Sequence, residues 1–297
     1  MTSPFAGATK PGIGIYDLAF DSDGALWMLD ESGLATHRRG QKKPEVVCGP
    51  EGGGAYGLAV APGLVLTSSL TGATLRASDG AELQRYALEP SGVGLSPDGA
   101  RVAIGHGYAG GSGQHVAVFD RAGALTAKVE DDAIRNDSGA FCFAADGSSL
   151  AFVARGALLV ADVASGALVS RAPFRDGFQV SAPRMEPLGD RVLAVFAGRG
   201  LQYVISAAIL DLDGRALWLG ESADAVAANA VSGLVAVVKG AEVEVRNTLG
   251  EKLRSVARAK ASFTVDAAAV SDDGWLALAC GPKSGGRTKS VEFVNLR

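Results

Sequence analysis

The sequence predicts an all-β fold, a seven-bladed β-propeller in which every blade is a four-stranded antiparallel sheet. A turn rich in Asp and Gly, followed by an apolar run, recurs along the chain, as in DSDGALWML (21–29), SPDGARVAIG (96–105) and SDDGWLALACG (271–281). Seven such turns are separated by about 39, 36, 48, 42, 44 and 41 residues, and a period of about 40 residues is typical of propeller blades. The apolar runs are short and bounded by Gly and Asp, which favours strands.

Each repeat supplies the four strands of a blade in the same order. The first strand is built on small residues, as in YGLAV (56–60), because bulky side chains would clash near the axis. Asp-Gly then provides a tight turn into an apolar second strand such as RVAIG (101–105). A third strand, such as VAVFD (116–120), ends in another turn and is followed by a short fourth strand, ALTAKV (124–129). The runs are almost continuously apolar because both faces of a blade pack against neighbours.

The repeats divide the whole chain, residues 1–297, into one expected domain. The approximate blades are 13–50, 51–90, 91–130, 131–173, 174–222, 223–258 and 259–297. The last blade ends after its third strand, so we expect residues 1–12 to supply the fourth strand and close the ring. Blade five is the least regular, because SAPRMEPLGD (181–190) places charged residues and prolines where the other first strands carry small residues.

Composition restricts the classes of partner. The formal net charge is -4, with 28 Lys and Arg against 32 Asp and Glu, which disfavours a nucleic-acid partner. No run of 18 apolar residues is present, which predicts no membrane insertion. The N-terminus lacks the apolar core of a secretory signal, and the three cysteines are expected to be buried free thiols. These features together predict a cytoplasmic protein.

The order of apolar strand, S-P-D-G, apolar strand and D-x-x-G resembles WD-repeat and related bacterial propeller proteins over essentially the whole chain. The best matches are LSPDGARVAIG (95–105), VFDRAG (118–123) and VADVASGALV (160–169). The Trp-Asp pair of that family is reduced to Phe119-Asp120, Ala161-Asp162 and Leu210-Asp211, so the resemblance is to a degenerate, WD-repeat-like propeller. It implies a platform that binds another protein.

The longest connections between strands are expected on one face of the ring, where they would form the binding surface. They carry aromatic and arginine side chains, which are typical anchors of protein interfaces. The candidate partner-binding residues are Tyr108, Arg135, Asn136, Asp137, Phe174, Arg175, Phe178, Arg184, Arg199 and Tyr203. This hypothesis describes a non-catalytic scaffold without a cofactor. The alternative is a set of ordinary polar loops, with Phe174 or Phe178 packed into the core.

A second resemblance keeps an enzyme open. IYDLAFDSDGALWMLDESG (15–33) is similar to the opening blade of lactonase-type propellers, which implies a metal-dependent hydrolase with Ca²⁺ or Mg²⁺ at the channel mouth. The candidate ligands are Asp17, Asn136, Glu186, Asn229 and Asp266. An N-terminal Glu before the first blade, which that family would supply, is missing. The alternative is that these groups hydrogen-bond to backbone or water in the axial channel.

Other motifs are weaker. His106 and His115 bracket the Gly-rich stretch GHGYAGGSGQH (105–115), which could bind a transition metal or be a solvated loop, and no Cys or carboxylate lies near in sequence. The chain has neither a G-x-S-x-G elbow nor a P-loop. The DSDG (21–24) and DLDG (211–214) stretches lack the Glu that closes a calcium loop, so they are interpreted as turns.

Overall fold

The structure is a computed structural model. It describes residues 15–50, 55–88, 90–106, 115–130, 141–154, 157–173, 181–197, 205–213, 215–260, 262–282 and 290–297. In these ranges the chain forms 27 strands and no helix. The strands are arranged in seven antiparallel sheets, each built from consecutive strands. The predicted seven-bladed, all-β propeller is therefore confirmed.

The strands follow one another blade by blade. Blade one contains β1 (Ile15–Phe20), β2 (Leu26–Asp30), β3 (Gly33–His37) and β4 (Glu45–Cys48). Blade two contains β5 (Ala55–Ala61), β6 (Leu64–Ser69), β7 (Gly72–Ala77) and β8 (Glu82–Tyr86). Blade three contains β9 (Pro90–Leu95), β10 (Arg101–His106), β11 (His115–Asp120) and β12 (Leu125–Val129). Blade four contains β13 (Phe141–Phe143), β14 (Ser149–Ala154), β15 (Ala157–Asp162) and β16 (Leu168–Pro173).

The remaining blades follow the same order. Blade five contains β17 (Ser181–Pro187), β18 (Arg191–Ala197), β19 (Ile205–Asp211) and β20 (Ala216–Ala223). Blade six contains β21 (Ala225–Asn229), β22 (Leu234–Lys239), β23 (Glu242–Arg246) and β24 (Lys252–Ala257). Blade seven contains β25 (Phe263–Val270), β26 (Trp275–Pro282) and β27 (Ser290–Asn295).

The first strands of the blades form the inner ring. Each contacts the first strand of the next blade, from β1 and β5 around to β21 and β25, and β25 contacts β1 again. The ring is thus closed through its innermost strands. Blade seven has three strands in the described part of the chain. The fourth strand that the sequence assigns to residues 1–12 lies outside the described residues.

Apolar side chains fill the spaces between neighbouring blades. Seven clusters of buried residues are present, and each joins two adjacent blades. In β14, Leu150 and Phe152 pack toward blade three, whereas Ala151 between them packs toward blade five. Both faces of this strand are therefore covered, which explains why its sequence is continuously apolar.

The Asp-Gly turns are fixed by their own side chains. In blade three, the backbone N–H of Gly99 donates to the Ser96 carbonyl at 2.8 Å, and the Asp98 carboxylate accepts from the N–H of Ala100 at 3.0 Å. Gly99 adopts a φ of 67°, a left-handed conformation that favours glycine. Asp98 and Gly99 thus produce the turn that reverses the chain direction between β9 and β10.

The connections divide between two faces of the ring. We define the turn face as the one that holds the turns between the first and second strands and between the third and fourth strands of each blade. The loop face holds the connections between the second and third strands and those between successive blades.

All six described fourth strands contain a one-residue shift in register against the third strand. The unpaired residue is Leu83 in β8, Val169 in β16 and Leu253 in β24, and these three side chains are 43%, 62% and 55% exposed.

Candidate functional site

The residues of the predicted partner-binding surface belong in sequence to blades three, four and five and their connections. Nine of its ten residues lie outside the described residues: Tyr108, Arg135, Asn136, Asp137, Phe174, Arg175, Phe178, Arg199 and Tyr203. The tenth, Arg184, lies in β17 opposite Val195 of β18. What the structure describes here is the set of strand ends from which these connections leave.

Those strand ends are close neighbours. In blade five, Ser181 pairs with Ala197, and Ala197 pairs with Ile205, so one row of residues borders both the 174–180 and the 198–204 connections. In blade three, His106 pairs with His115 at the ends that border the 107–114 connection. Val129, after which the connection to blade four begins, pairs with Val116 of the same blade. Because paired strands lie ~4.8 Å apart, these connections start from closely spaced points.

The predicted metal ligands lie on the inner strands of four consecutive blades. Asp17 in β1 and Asp266 in β25 belong to the halves of their strands nearer the loop face. Glu186 is the sixth residue of β17 and Asn229 is the last residue of β21, both nearer the turn face. At ~3.3 Å per residue, the two pairs are offset by roughly 7–13 Å along the strands. The structure therefore does not bring these four residues to one level of the channel, and Asn136 lies outside the described residues.

Three of these side chains join one blade to the next. Asp17 accepts a hydrogen bond from the backbone N–H of Leu58 in blade two, at 3.1 Å. Glu186 accepts one from the N–H of Ala228 in blade six. Asn229 of blade six donates through Nδ2 to Asp272 of blade seven at 2.9 Å. Each bond spans about one repeat in sequence, so the polar residues of the inner ring hold successive blades together.

Asp266 is exposed on β25. A Cβ placed on Gly281 of the neighbouring strand would lie 2.9 Å from its Oδ2 atom, so glycine leaves room for this carboxylate. Among the side chains that the structure describes, no group of three His, Cys, Asp or Glu residues is arranged to hold a metal ion.

The turn face carries two surface clefts. One, of about 420 Å³, is lined by Asp21, Asp23, Ala25, Arg38, Arg39 and Ser78. The other, of about 320 Å³, is lined by Ser96, Asp98, Arg101, Asp146, Gly147, Ser148, Asp162, Val163 and Ala164. Four of the carboxylates in these clefts accept hydrogen bonds within their own turns: Asp21, Asp98, Asp146 and Asp162.

The hydrogen bonds of these carboxylates show that structural role. Asp21 accepts from the N–H of Ala25 and from Nε1 of Trp27, both at 2.8 Å. A hydrogen bond from the Ser96 hydroxyl, at 2.6 Å, is the main cause that lowers the pKa of Asp98. The DSDG stretch is thus a turn, as the sequence predicted.

A buried polar cluster between blades six and seven was not predicted from the sequence. Arg258, before β25, pairs through Nε with Oε2 of Glu292 in β27 at 3.3 Å, and both side chains are at most 5% exposed. Arg258 also donates to the Gly240 carbonyl at 2.7 Å, and Glu292 accepts from the N–H of Ala259 at 2.7 Å. The only signal in the sequence was a Glu between the apolar residues Val291 and Phe293 of the strand SVEFVN (290–295).

The cysteines are free thiols, and two of them are buried. Desolvation, assisted by the charge of Glu186, raises the pKa of Cys142 to about 12. Desolvation and Glu292 raise the pKa of Cys280 to about 11. Neither thiol forms a nucleophilic thiolate at neutral pH.

Comparison with known proteins shows the fold and no family. No protein-family model matches the chain, and no curated protein sequence matches it. Among solved structures, the chain is similar to Kuenenia stuttgartiensis hydrazine synthase, with a TM-score of 0.69, 13% sequence identity and coverage of 97% of each chain. At this identity the likeness is one of propeller architecture. The described residues contain no helix long and apolar enough to cross a membrane.

Proposed function

We propose that this propeller is a non-catalytic, WD-repeat-like scaffold that binds another protein in the cytoplasm through its loop face. One observation supports it most: within blade three and within blade five, the strand ends that border the long connections are paired neighbours. The opposite face has tight turns whose carboxylates are engaged in turn hydrogen bonds. Long connections on a rigid ring are where propeller-like scaffolds bind partners.

The anchors of this surface would be Phe174, Phe178 and Tyr108, with Arg135, Arg175 and Arg199 as charged neighbours. Aromatic and arginine side chains provide most of the binding energy in protein interfaces. The inner-ring carboxylates of Asp17 and Glu186 accept hydrogen bonds from backbone N–H groups of the next blade, which supports a structural and not a catalytic role for them.

Site-specific photo-crosslinking in cells tests this proposal. A photoreactive amino acid is placed at position 175 or 199 on the loop-face connections, and at position 231 on the turn face as a control. Val231 is 75% exposed, so the control position is accessible. We expect positions 175 and 199 to capture the same protein and position 231 not to capture it.

The captured protein is then purified and its affinity is measured directly. We expect the Phe174→Ala/Arg175→Ala variant to bind at least about tenfold more weakly, since two interface anchors are removed, and Val231→Ala to bind like the wild type. Equal affinity of both variants, or capture only from position 231, would contradict the loop-face proposal. Calcium- or magnesium-dependent lactone hydrolysis by the purified chain would contradict the non-catalytic assignment.

A further inference from the structure

Five Asp-Gly turns in the described part of the chain share one backbone geometry, which makes them a matched set. They are Asp23-Gly24, Asp79-Gly80, Asp98-Gly99, Asp146-Gly147 and Asp273-Gly274. In each turn the glycine has a φ between 67° and 91°, and its N–H donates to the carbonyl of the residue three positions earlier, at 2.8–3.0 Å. The backbone therefore does not distinguish these turns, and a difference in their chemistry has to come from side chains.

Four of the five aspartates are held by contacts of their carboxylates. At Asp79, Asp98 and Asp146 the carboxylate accepts a hydrogen bond from the N–H of the residue after the glycine, at 2.9–3.0 Å. A serine hydroxyl adds a second hydrogen bond at Asp98 and Asp146, at 2.6 Å and 2.8 Å. In blade seven, Asp273 accepts from a serine hydroxyl at 2.7 Å and forms an ion pair with an arginine of blade one. We call these four the held aspartates.

Asp23 is the exception, because the donor that it would use is bound elsewhere. The N–H of Ala25, the residue after Gly24, donates to Oδ1 of Asp21 at 2.8 Å. Asp23 is exposed, and no described residue forms a hydrogen bond or an ion pair with its carboxylate. It also borders the turn-face cleft of about 420 Å³, so this carboxylate is open to solvent.

We propose that Asp23-Gly24 is the preferred site at which this chain forms isoaspartate. In the first step the backbone nitrogen of Gly24 attacks Cγ of Asp23, and the proton of the nitrogen leaves with the carboxyl OH as water, which gives a succinimide ring. Water then adds to the main-chain carbonyl carbon of Asp23 and breaks its bond to nitrogen, so the chain continues through the side chain. One water is lost and one is gained, and no group is oxidised or reduced.

A held carboxylate opposes this reaction for two reasons. The side chain has to rotate so that Cγ approaches the glycine nitrogen, and hydrogen bonds to the carboxylate resist that rotation. The oxygen that leaves has to be protonated, and the same hydrogen bonds favour the ionised carboxylate. The described contacts impose neither restraint on Asp23, and Gly24 has no Cβ to hinder the attack.

The position of the turn gives this modification a structural consequence. A Cβ placed on Gly24 would lie 3.5 Å from Nη2 of Arg39, so the Arg39 side chain lies against this turn. Arg39 pairs with Asp273, which joins blade one to blade seven. Isoaspartate adds one methylene to the backbone next to this ion pair. The proposal does not depend on the scaffold function, because it concerns the chemistry of the isolated chain.

Prolonged incubation of the folded, full-length protein at neutral pH and physiological temperature tests the site. Tandem mass spectrometry with electron-transfer fragmentation measures the isoaspartate fraction of each Asp-Gly peptide. A purified isoaspartyl methyltransferase reports the total, because it methylates the freed α-carboxylate with S-adenosylmethionine. We expect at least about tenfold more conversion at Asp23 than at each of the four held aspartates, a ratio that corresponds to one hydrogen bond to a charged group. Asp23→Glu should remove this signal, because glutamate would have to close a larger ring.

Ser96→Ala is the matched variant, because it removes one of the hydrogen bonds that hold Asp98. We expect conversion at Asp98 to rise and conversion at Asp23 to stay unchanged, with circular dichroism to confirm that the variant is folded. In the urea-unfolded chain all Asp-Gly pairs should convert at similar rates. Equal conversion of the five turns in the folded chain, a maximum at a held aspartate, or a preference for Asp23 that persists in urea would overturn the proposal.

Discussion

Arg258 and Glu292 form an ion pair that is sealed between blade six and blade seven, with 3.3 Å between Nε and Oε2. Removal of one partner from a buried pair leaves the other charge uncompensated. We expect Arg258→Met to lower the free energy of unfolding by about 3–5 kcal/mol, as measured by urea denaturation.

The matched control for this prediction is Arg39→Met. Arg39 pairs with Asp273 between blades one and seven, but both side chains are more than one third exposed. Exposed pairs contribute only about 0–1 kcal/mol. If both variants lose the same free energy of unfolding, burial does not increase the contribution of the Arg258–Glu292 pair to stability.

Asp17 tests whether the inner-ring carboxylates act as links between blades. Asp17→Ala removes the acceptor for the N–H of Leu58, so we expect it to lower the free energy of unfolding by about 1–3 kcal/mol. Asp17→Asn keeps a carbonyl oxygen in place and should be milder. The melting temperatures of the wild type and both variants are also measured with and without CaCl₂. If calcium stabilises only the wild type, Asp17 is an ion ligand and not a link between blades.

Gly250 tests the packing of one blade on the next. Its φ is 83°, and an added Cβ would lie 2.1 Å from Cβ of Trp218 in the fourth strand of blade five. Gly233 lies, like Gly250, in a turn of blade six, and it has a φ of 66° but no described atom within 4 Å of an added Cβ. Both alanine variants incur about 1–2 kcal/mol of left-handed strain, and Gly250→Ala incurs overpacking of about 1–3 kcal/mol more. Melting temperatures should therefore fall further for Gly250→Ala, and an equal fall would refute the contact.

Ser96→Ala should raise the pKa of Asp98, because it removes the hydroxyl that is the main cause of the lowered value. A carboxyl whose pKa is lowered by folding adds stability above its unfolded pKa of about 4, and this stability is lost as the pH falls through the folded value. The variant should thus lose less stability on acidification. Carbon-13 titration of the Asp98 carboxyl checks the shift. Ser148→Ala is the control, because it removes side-chain hydrogen bonds with Asp146 and Ser149 and none with Asp98.

Deletion of residues 1–12 tests closure of the last blade. In the described chain β27 has β26 as its only strand neighbour, so loss of the assigned fourth strand would leave its edge unpaired. We expect the melting temperature to fall by at least about 5 °C, and a synthetic peptide of residues 1–12 to restore it. A melting temperature equal to that of the full chain would refute closure by this segment.

The repeated turns made the architecture predictable from sequence because their chemistry is local. Gly99 and Asp98 reverse the chain with bonds that span three residues or fewer. Blade five was difficult for a physical reason: its register shifts between Ser181 and Arg184, so the expected small-residue pattern is interrupted there.

The sequence singled out Asp17 and Glu186, but it did not predict that they form hydrogen bonds to the next blade. Asp17 and Glu186 drew attention as polar residues in apolar strands, but a metal ligand and a hydrogen-bond acceptor are indistinguishable in sequence. The distinction required the position of a backbone N–H about 41 residues away. Arg258 and Glu292 were missed because their partnership depends on how two blades meet.

The register shifts of the fourth strands have a consequence for how molecules meet in solution. Leu83, Val169 and Leu253 are exposed hydrophobic residues on outer edge strands. A flat edge strand could pair with a strand of another molecule. A bulge at each of these positions twists the margin and breaks the row of amides available to an incoming strand. At the described fourth strands these bulges therefore disfavour edge-to-edge pairing between molecules, even where the side chains are hydrophobic.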